Sequence, residues 1–203
     1  MKAFLAVLVL GTALATQITP IPSKPEGFVL GSSNATVVLD VFYDHLCSDS
    51  RDSYPGLLAY WKANQSWLQL RIHILALPYH YLAFEVAQAG KYIQQNYPTK
   101  FIAFLEYIFA NQATYLSKAK SQVYADSLAT LAKDTSAATG VSQDEIAKAL
   151  ANSDVNWATR VSWKFATSRG VSGTPQYLVN GVYAPDASDN SSQSDWTYYF
   201  KLL

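Results

Sequence analysis

Two apolar runs of β-branched and aromatic residues, Val37 to Tyr43 (VVLDVFY) and Trp67 to Leu77 (WLQLRIHILAL), limit the folds open to this chain more than any other feature. Each has the composition of a buried strand, and Pro78 closes the second. Between them, Arg51 to about Gln65 reads as a helix with Leu57, Leu58 and Trp61 as its apolar stripe. Pro55 lies inside that span and is expected to kink it, because proline removes an amide donor. The chain therefore begins its ordered part as strand, helix, strand, preceded by a Pro-, Gly- and Ser-rich extended lead-in over residues 16–36.

The middle changes character. Phe101, Phe104, Leu105, Ile108 and Phe109 recur at helical spacing. Leu82 to Gln95 and Tyr124 to Ala138 also read as helices, the latter stopped by Gly140. Ser142 to Glu145 has the pattern of a capping box opening a helix through Leu150, and Asp154 to Arg169 follows, ended by Gly170. Four or five helices are expected between residues 80 and 169. Beyond them lie Thr174-Pro175, a strand from Gln176 to Val179, an Asn180-Gly181 turn and a second strand from Val182. Asn-Gly between apolar stretches is a strong hairpin signal. A polar loop, Asp186 to Ser194, leads to a terminal helix from Asp195 to Leu202. No internal repeat or linker divides the chain, which reads as one α/β domain over residues 16–203 with a helical insertion at about 80–169.

Composition removes several functions. Half of the 203 residues are apolar and 14% aromatic, enough to bury a core, so intrinsic disorder is excluded. The 15 basic and 15 acidic side chains balance without a Lys/Arg run, which argues against a nucleic-acid partner. Cys47 stands alone, so no intrachain disulfide can form. Residues 1–15 combine Lys2, an apolar run from Ala3 to Leu10 and the small-x-small signal Ala13-Leu14-Ala15, the pattern of a cleaved secretory signal peptide. That run is shorter than the about 20 residues a spanning helix needs, and no second one follows, so no membrane association is expected after cleavage. Three sequons, at Asn34, Asn64 and Asn190, agree with a secretory route and mark candidate glycosylation sites. The end Phe200-Lys201-Leu202-Leu203 is not a luminal retrieval signal, which points to a secreted or endolysosomal destination.

The chemistry centres on Cys47. It follows a strand and sits at or just before the first turn of a helix, where free amides and the positive end of the helix dipole favour a thiolate. Ser48 and Ser50 can offer hydroxyl donors to the sulfur. In such settings a thiol pKa can fall from about 8.5 into the ~3.5–7.5 range. Asp44, Asp49 and Asp52 oppose a second negative charge, with Arg51 and His45 as partial compensation. A lone cysteine can equally be packed and inert; three acids and two serines around this one favour exposure. His80 is placed to approach the site as an acid–base group or to serve as a polar residue at a helix start, and His73, mid-strand, reads as structural. Three scattered histidines and one cysteine give no metal-site pattern.

The run Asp44-His45-Leu46-Cys47-Ser48-Asp49-Ser50 between strand and helix, the Leu77-Pro78-Tyr79-His80 segment, and Gly170-Val171-Ser172-Gly173-Thr174-Pro175 before a hairpin together resemble the DsbA-like branch of the thioredoxin fold, over roughly residues 27–203. The resemblance implies that Cys47 is the attacking cysteine, that Pro175 is a cis-proline facing it, and that Gly173 and Thr174 help offer backbone hydrogen bonds to an extended substrate peptide. Ser50 takes the place of the resolving cysteine of the usual Cys-x-x-Cys pair. Val41 occupies the position where many relatives carry a buried acid. Without a second thiol, an internal disulfide cannot release a mixed disulfide, so monothiol exchange or isomerisation on protein or glutathione mixed disulfides is the implied activity, with Ser50 donating to the sulfur and Ser48, Asp49 and His80 in support. No bound cofactor is implied, glutathione being a candidate co-substrate. A kappa-like glutathione transferase or isomerase, or a non-catalytic binding protein, shares the same fold plan.

Overall fold

The computed structural model describes residues 21–22, 25–116 and 123–203; the leader expected at 1–15 lies outside the described residues. In chain order they form β1 (Phe28–Leu30), β2 (Val37–Tyr43), α1 (Ser48–Ala63), β3 (Leu68–Ile74), α2 (Ala83–Asn96), α3 (Phe101–Ala110), α4 (Ala113–Leu116), α5 (Tyr124–Thr139), α6 (Gln143–Leu150), α7 (Ser153–Thr167), β4 (Gln176–Val179), β5 (Val182–Tyr183) and α8 (Gln193–Leu202). The strands make one sheet in the order β1-β3-β2-β4-β5, parallel between β2 and β3 and antiparallel elsewhere. The thioredoxin-like α/β plan with an all-helical insertion between the second major strand and β4 is the observed architecture.

Strand alternation sorts the core into two clusters. On β2, Leu39, Val41 and Tyr43 pack with Leu57 and Trp61 of α1 and with Trp196 of α8. Phe42 points to the opposite face, where it joins Cys47, Leu75, Leu77, Ala166, Val171 and Leu178. Both faces of the central strands are covered, which explains why their sequence runs read as continuously apolar.

Several expected boundaries shift. The lead-in contains a three-residue edge strand, β1, unannounced by so short a segment and held by the Phe28 ring 4.6 Å from Phe101. The second apolar run leaves the sheet at Ile74, three residues early, because Leu75 to Leu77 turn toward the cysteine loop. Helix α1 starts at Ser48 and runs past Pro55 unbroken; Pro55 lies on its exposed side, where the carbonyl it leaves unpaired can meet water. Where four or five helices are expected, the described residues of the insertion hold five, α2, α3, α5, α6 and α7, and the single turn α4. Ser142 caps α6 through the Glu145 amide, but the Glu145 carboxylate accepts from the Tyr92 and Tyr97 hydroxyls, so the reciprocal half of the box is replaced. Gly140 (φ 73°) ends α5 in the left-handed region, and Asn180 and Gly181 (φ 49° and 79°) form the hairpin turn.

Candidate functional site

Four residues carry the chain from β2 into α1, and Asp44 organises them. Its buried carboxylate accepts from the amide of Leu46 (2.8 Å) through Oδ1 and from the amide of Leu77 (2.9 Å) through Oδ2. The same Oδ2 lies 2.7 Å from His80 Nδ1. The exit of β2 is thereby tied to the exit of β3, and Cys47 falls at the N-cap of α1 (φ −74°, ψ 128°), its carbonyl accepting from the Arg51 amide. The positive end of the α1 dipole is directed there. From the insertion, Gln112 reaches in: its amide donates to the carbonyls of His45 (3.0 Å) and Cys47 (2.8 Å), while its oxygen accepts from Arg51.

Across from this loop the Thr174–Pro175 peptide is cis. The Cys47 thiol donates to the Thr174 carbonyl at 3.2 Å, bringing together residues 127 positions apart. Among the described residues the backbone amides of Gly173 and Thr174 donate to no protein acceptor. The loop therefore presents free donors beside the sulfur.

Other placements differ from those expected. Cys47 is 7% exposed, packed against Phe42, Leu77 and Val171; polar neighbours in sequence did not produce an open thiol, because the acids are directed elsewhere. Asp44 turns inward to the loop amides, Asp52 pairs with Arg51 (2.7 Å), and Asp49 accepts from the Ser48 hydroxyl. Neither serine donates to the sulfur. Ser50 is fully buried, its Oγ without a partner. His80 joins the site through Asp44, not through the thiol. Of the sequons, Asn34 is exposed, Asn64 spans Tyr60 and Trp67 by two side-chain hydrogen bonds, and the Asn190 nitrogen is buried. Among the described residues no His/Cys/Asp/Glu group suits a metal, and no helix is long and apolar enough to cross a membrane.

Sequence reasoning missed three features. Tyr79, 71% exposed, stands with its ring 4.8 Å from that of His80, and its hydroxyl pKa is raised by desolvation and then by the charges of Cys47, Asp44 and Asp49. Gln112 carries no local signal, since its importance comes from a contact with residues far away in the chain. The third is a buried ion cluster. Glu26 accepts from Lys91 and Ser162 and lies 2.9 Å from His73 Nδ1, while His73 Nε2 lies 2.8 Å from Asp40. With a carboxylate on each ring nitrogen, the His73 pKa is raised even though burial opposes it; Glu26 is lowered to about 2 by His73 and Lys91, again against burial.

A sheet of this order, a helical insertion, and one cysteine at the first helix facing a cis-proline loop define a thioredoxin-fold protein with a single-thiol site. The chain belongs to the thioredoxin family, whose model matches residues 23–198. Its structural neighbours are DsbA-like. A structure described as a protein-disulfide isomerase of Pseudomonas syringae superposes with a TM-score of 0.70 at 16% identity, over 85% of this chain and 97% of that one. BdbD of Bacillus subtilis gives 0.69 at 14% identity, over 87% and 91%. An alpha-DsbA1 variant of Wolbachia pipientis gives 0.68 at 13%, over 91% and 94%. At such identities the likeness is one of fold. No curated protein matches the chain in sequence.

Proposed function

We propose that this chain is a secretory-pathway monothiol protein that exchanges disulfides with client polypeptides. The observation that carries the reading is the position of its sole cysteine: at the N-cap of α1, 3.2 Å from the Thr174 carbonyl and next to unpaired loop amides. A client segment laid along Gly173–Pro175 can add to those amides as a strand, bringing its disulfide to Cys47. The Cys47 thiolate then attacks one client sulfur, the client S–S bond breaks, and the departing sulfur takes a proton from water. A mixed disulfide results, with no net oxidation. A second thiol, the client's own or glutathione's, reverses the attack and frees Cys47. Ser50 has no sulfur with which to do so internally. The leader pattern and the exposed sequon at Asn34 support passage through the secretory pathway.

The test is mass spectrometry of the protein incubated with a disulfide-bonded polypeptide under non-reducing conditions. One client adduct per chain is expected, lost in Cys47→Ala and released by glutathione. Ser50→Cys should shorten the adduct's lifetime and raise insulin reduction. An adduct that survives in Cys47→Ala, or none with the unaltered chain, overturns the reading.

A further inference from the structure

A cavity of about 490 Å³ opens between the β3–α2 connection and α7, within the size range of ligand sites. Leu77, Pro78 and His80 form the wall nearest the cysteine: Leu77 packs in the same buried cluster as Cys47, and His80 is held by Asp44. The aromatic lining comes from Tyr81, Phe84 and Trp163, the indole of the last fixed by donating to the Ala76 carbonyl at 3.1 Å.

The charges at this cavity are unbalanced. Arg160 and Lys164 project from successive turns of α7, an i, i+4 pair of like sign that repels itself until an anion joins it. Among the described residues neither has a carboxylate within 4.0 Å; Arg160 lies 5.2 Å over the Trp157 ring. The single acid of the cavity, Glu85, already accepts from the Tyr124 hydroxyl at 2.6 Å. At the start of α1 the exposed side chains include Asp49 and Asp52. With Asp52 paired to Arg51, Asp49 leaves the surface toward α1 mildly acidic, while the α7 side is basic.

We infer that this cavity is an accessory client site that takes an acidic residue, with an adjacent aromatic or aliphatic side chain, from the stretch flanking the client's reactive cysteine. The inference rests on the exchange reading and adds a substrate class and a direction to it. The carboxylate is received by Arg160 and Lys164, the apolar side chain by Phe84 and Trp163, and the client's other flank lies toward α1. Charge complementarity of this kind acts chiefly on encounter rate and orientation.

The experiment uses two peptides of equal length, each with one cysteine as its thiopyridyl disulfide next to phenylalanine, flanked by glutamates in one and lysines in the other. Attack by Cys47 forms the peptide mixed disulfide and expels pyridine-2-thione, whose absorbance gives the second-order rate. The full chain is expected to prefer the glutamate peptide about tenfold at low ionic strength, the ratio falling toward one in high salt. Arg160→Gln combined with Lys164→Gln should bring the low-salt ratio close to one, with Arg160→Gln alone between. A ratio of one or less in the unaltered chain, or an undiminished ratio in the double variant, overturns the site. Thione release from neither peptide overturns the exchange reading itself.

Discussion

His45 is enclosed by Phe101, Phe104 and Phe109 without a well-formed hydrogen bond, and burial lowers its pKa to about 4. A histidine lowered in the folded state stabilises it fully above its unfolded value near 6.5, and that contribution is lost as pH falls from there toward 4, on the order of 3 kcal/mol in all. Glu26, lowered to about 2, adds its loss only below about 4.5, and His73, raised, loses its contribution as pH climbs through its folded value. Between pH 6.5 and 4 the stability of the chain should therefore decline, and His45→Leu should flatten that decline. Urea unfolding at several pH values checks it, and equal slopes for the two proteins would refute the assignment. None of this was visible locally. Asp-His-Leu-Cys reads as a polar turn, and the rings that bury His45 lie over fifty residues downstream. Cys47 itself was legible as a site, because its place between strand and helix is a local fact; its low exposure was not, because Phe42, Ala166 and Val171 close over it only in the fold.

Helices α1 and α8 show what pattern reading captures and where it stops. Their apolar stripes and the hairpin before α8 follow from periodicity and turn chemistry; the cap in which Ser192 and Asp195 bond reciprocally does not, and it starts α8 at Gln193, inside the expected loop. Nor does their docking. Gly56 faces the chain just ahead of α8, and a Cβ there would overlap the Ser191 carbonyl, which lets Tyr60 stack on Phe200 at 5.4 Å. Gly56→Ala should cost about 1–3 kcal/mol through overpacking, in spite of alanine's better helix propensity. A thermal melt decides between the two: an unchanged or higher Tm would mean that α8 gives way without loss. Edge strand β1 escaped notice for a similar reason, since three residues give no period and their order depends on Phe101.

At the scale of the molecule, the Glu26–His73–Asp40–Lys91 cluster joins the lead-in to β2, β3 and α2, and through Ser162 to α7. Two carboxylates balance two cations there, and the imidazole lies between Phe42 (4.6 Å) and Phe165 (5.1 Å). Removing one charge leaves the others buried without compensation, so Glu26→Gln should lower unfolding stability by about 3–5 kcal/mol; a loss below about 1 kcal/mol would show that water or rearrangement takes over. The fold class was readable because strand, helix and hairpin signals are local and came in the right order. The cluster was not, because its members are spread from residue 26 to residue 162. Gln112 has a different consequence. One amide from the helical lobe splints two carbonyls of the cysteine loop, so trimming the insertion to reach a minimal scaffold would unbrace the very turn that such a scaffold is meant to display, however sound the sheet beneath it.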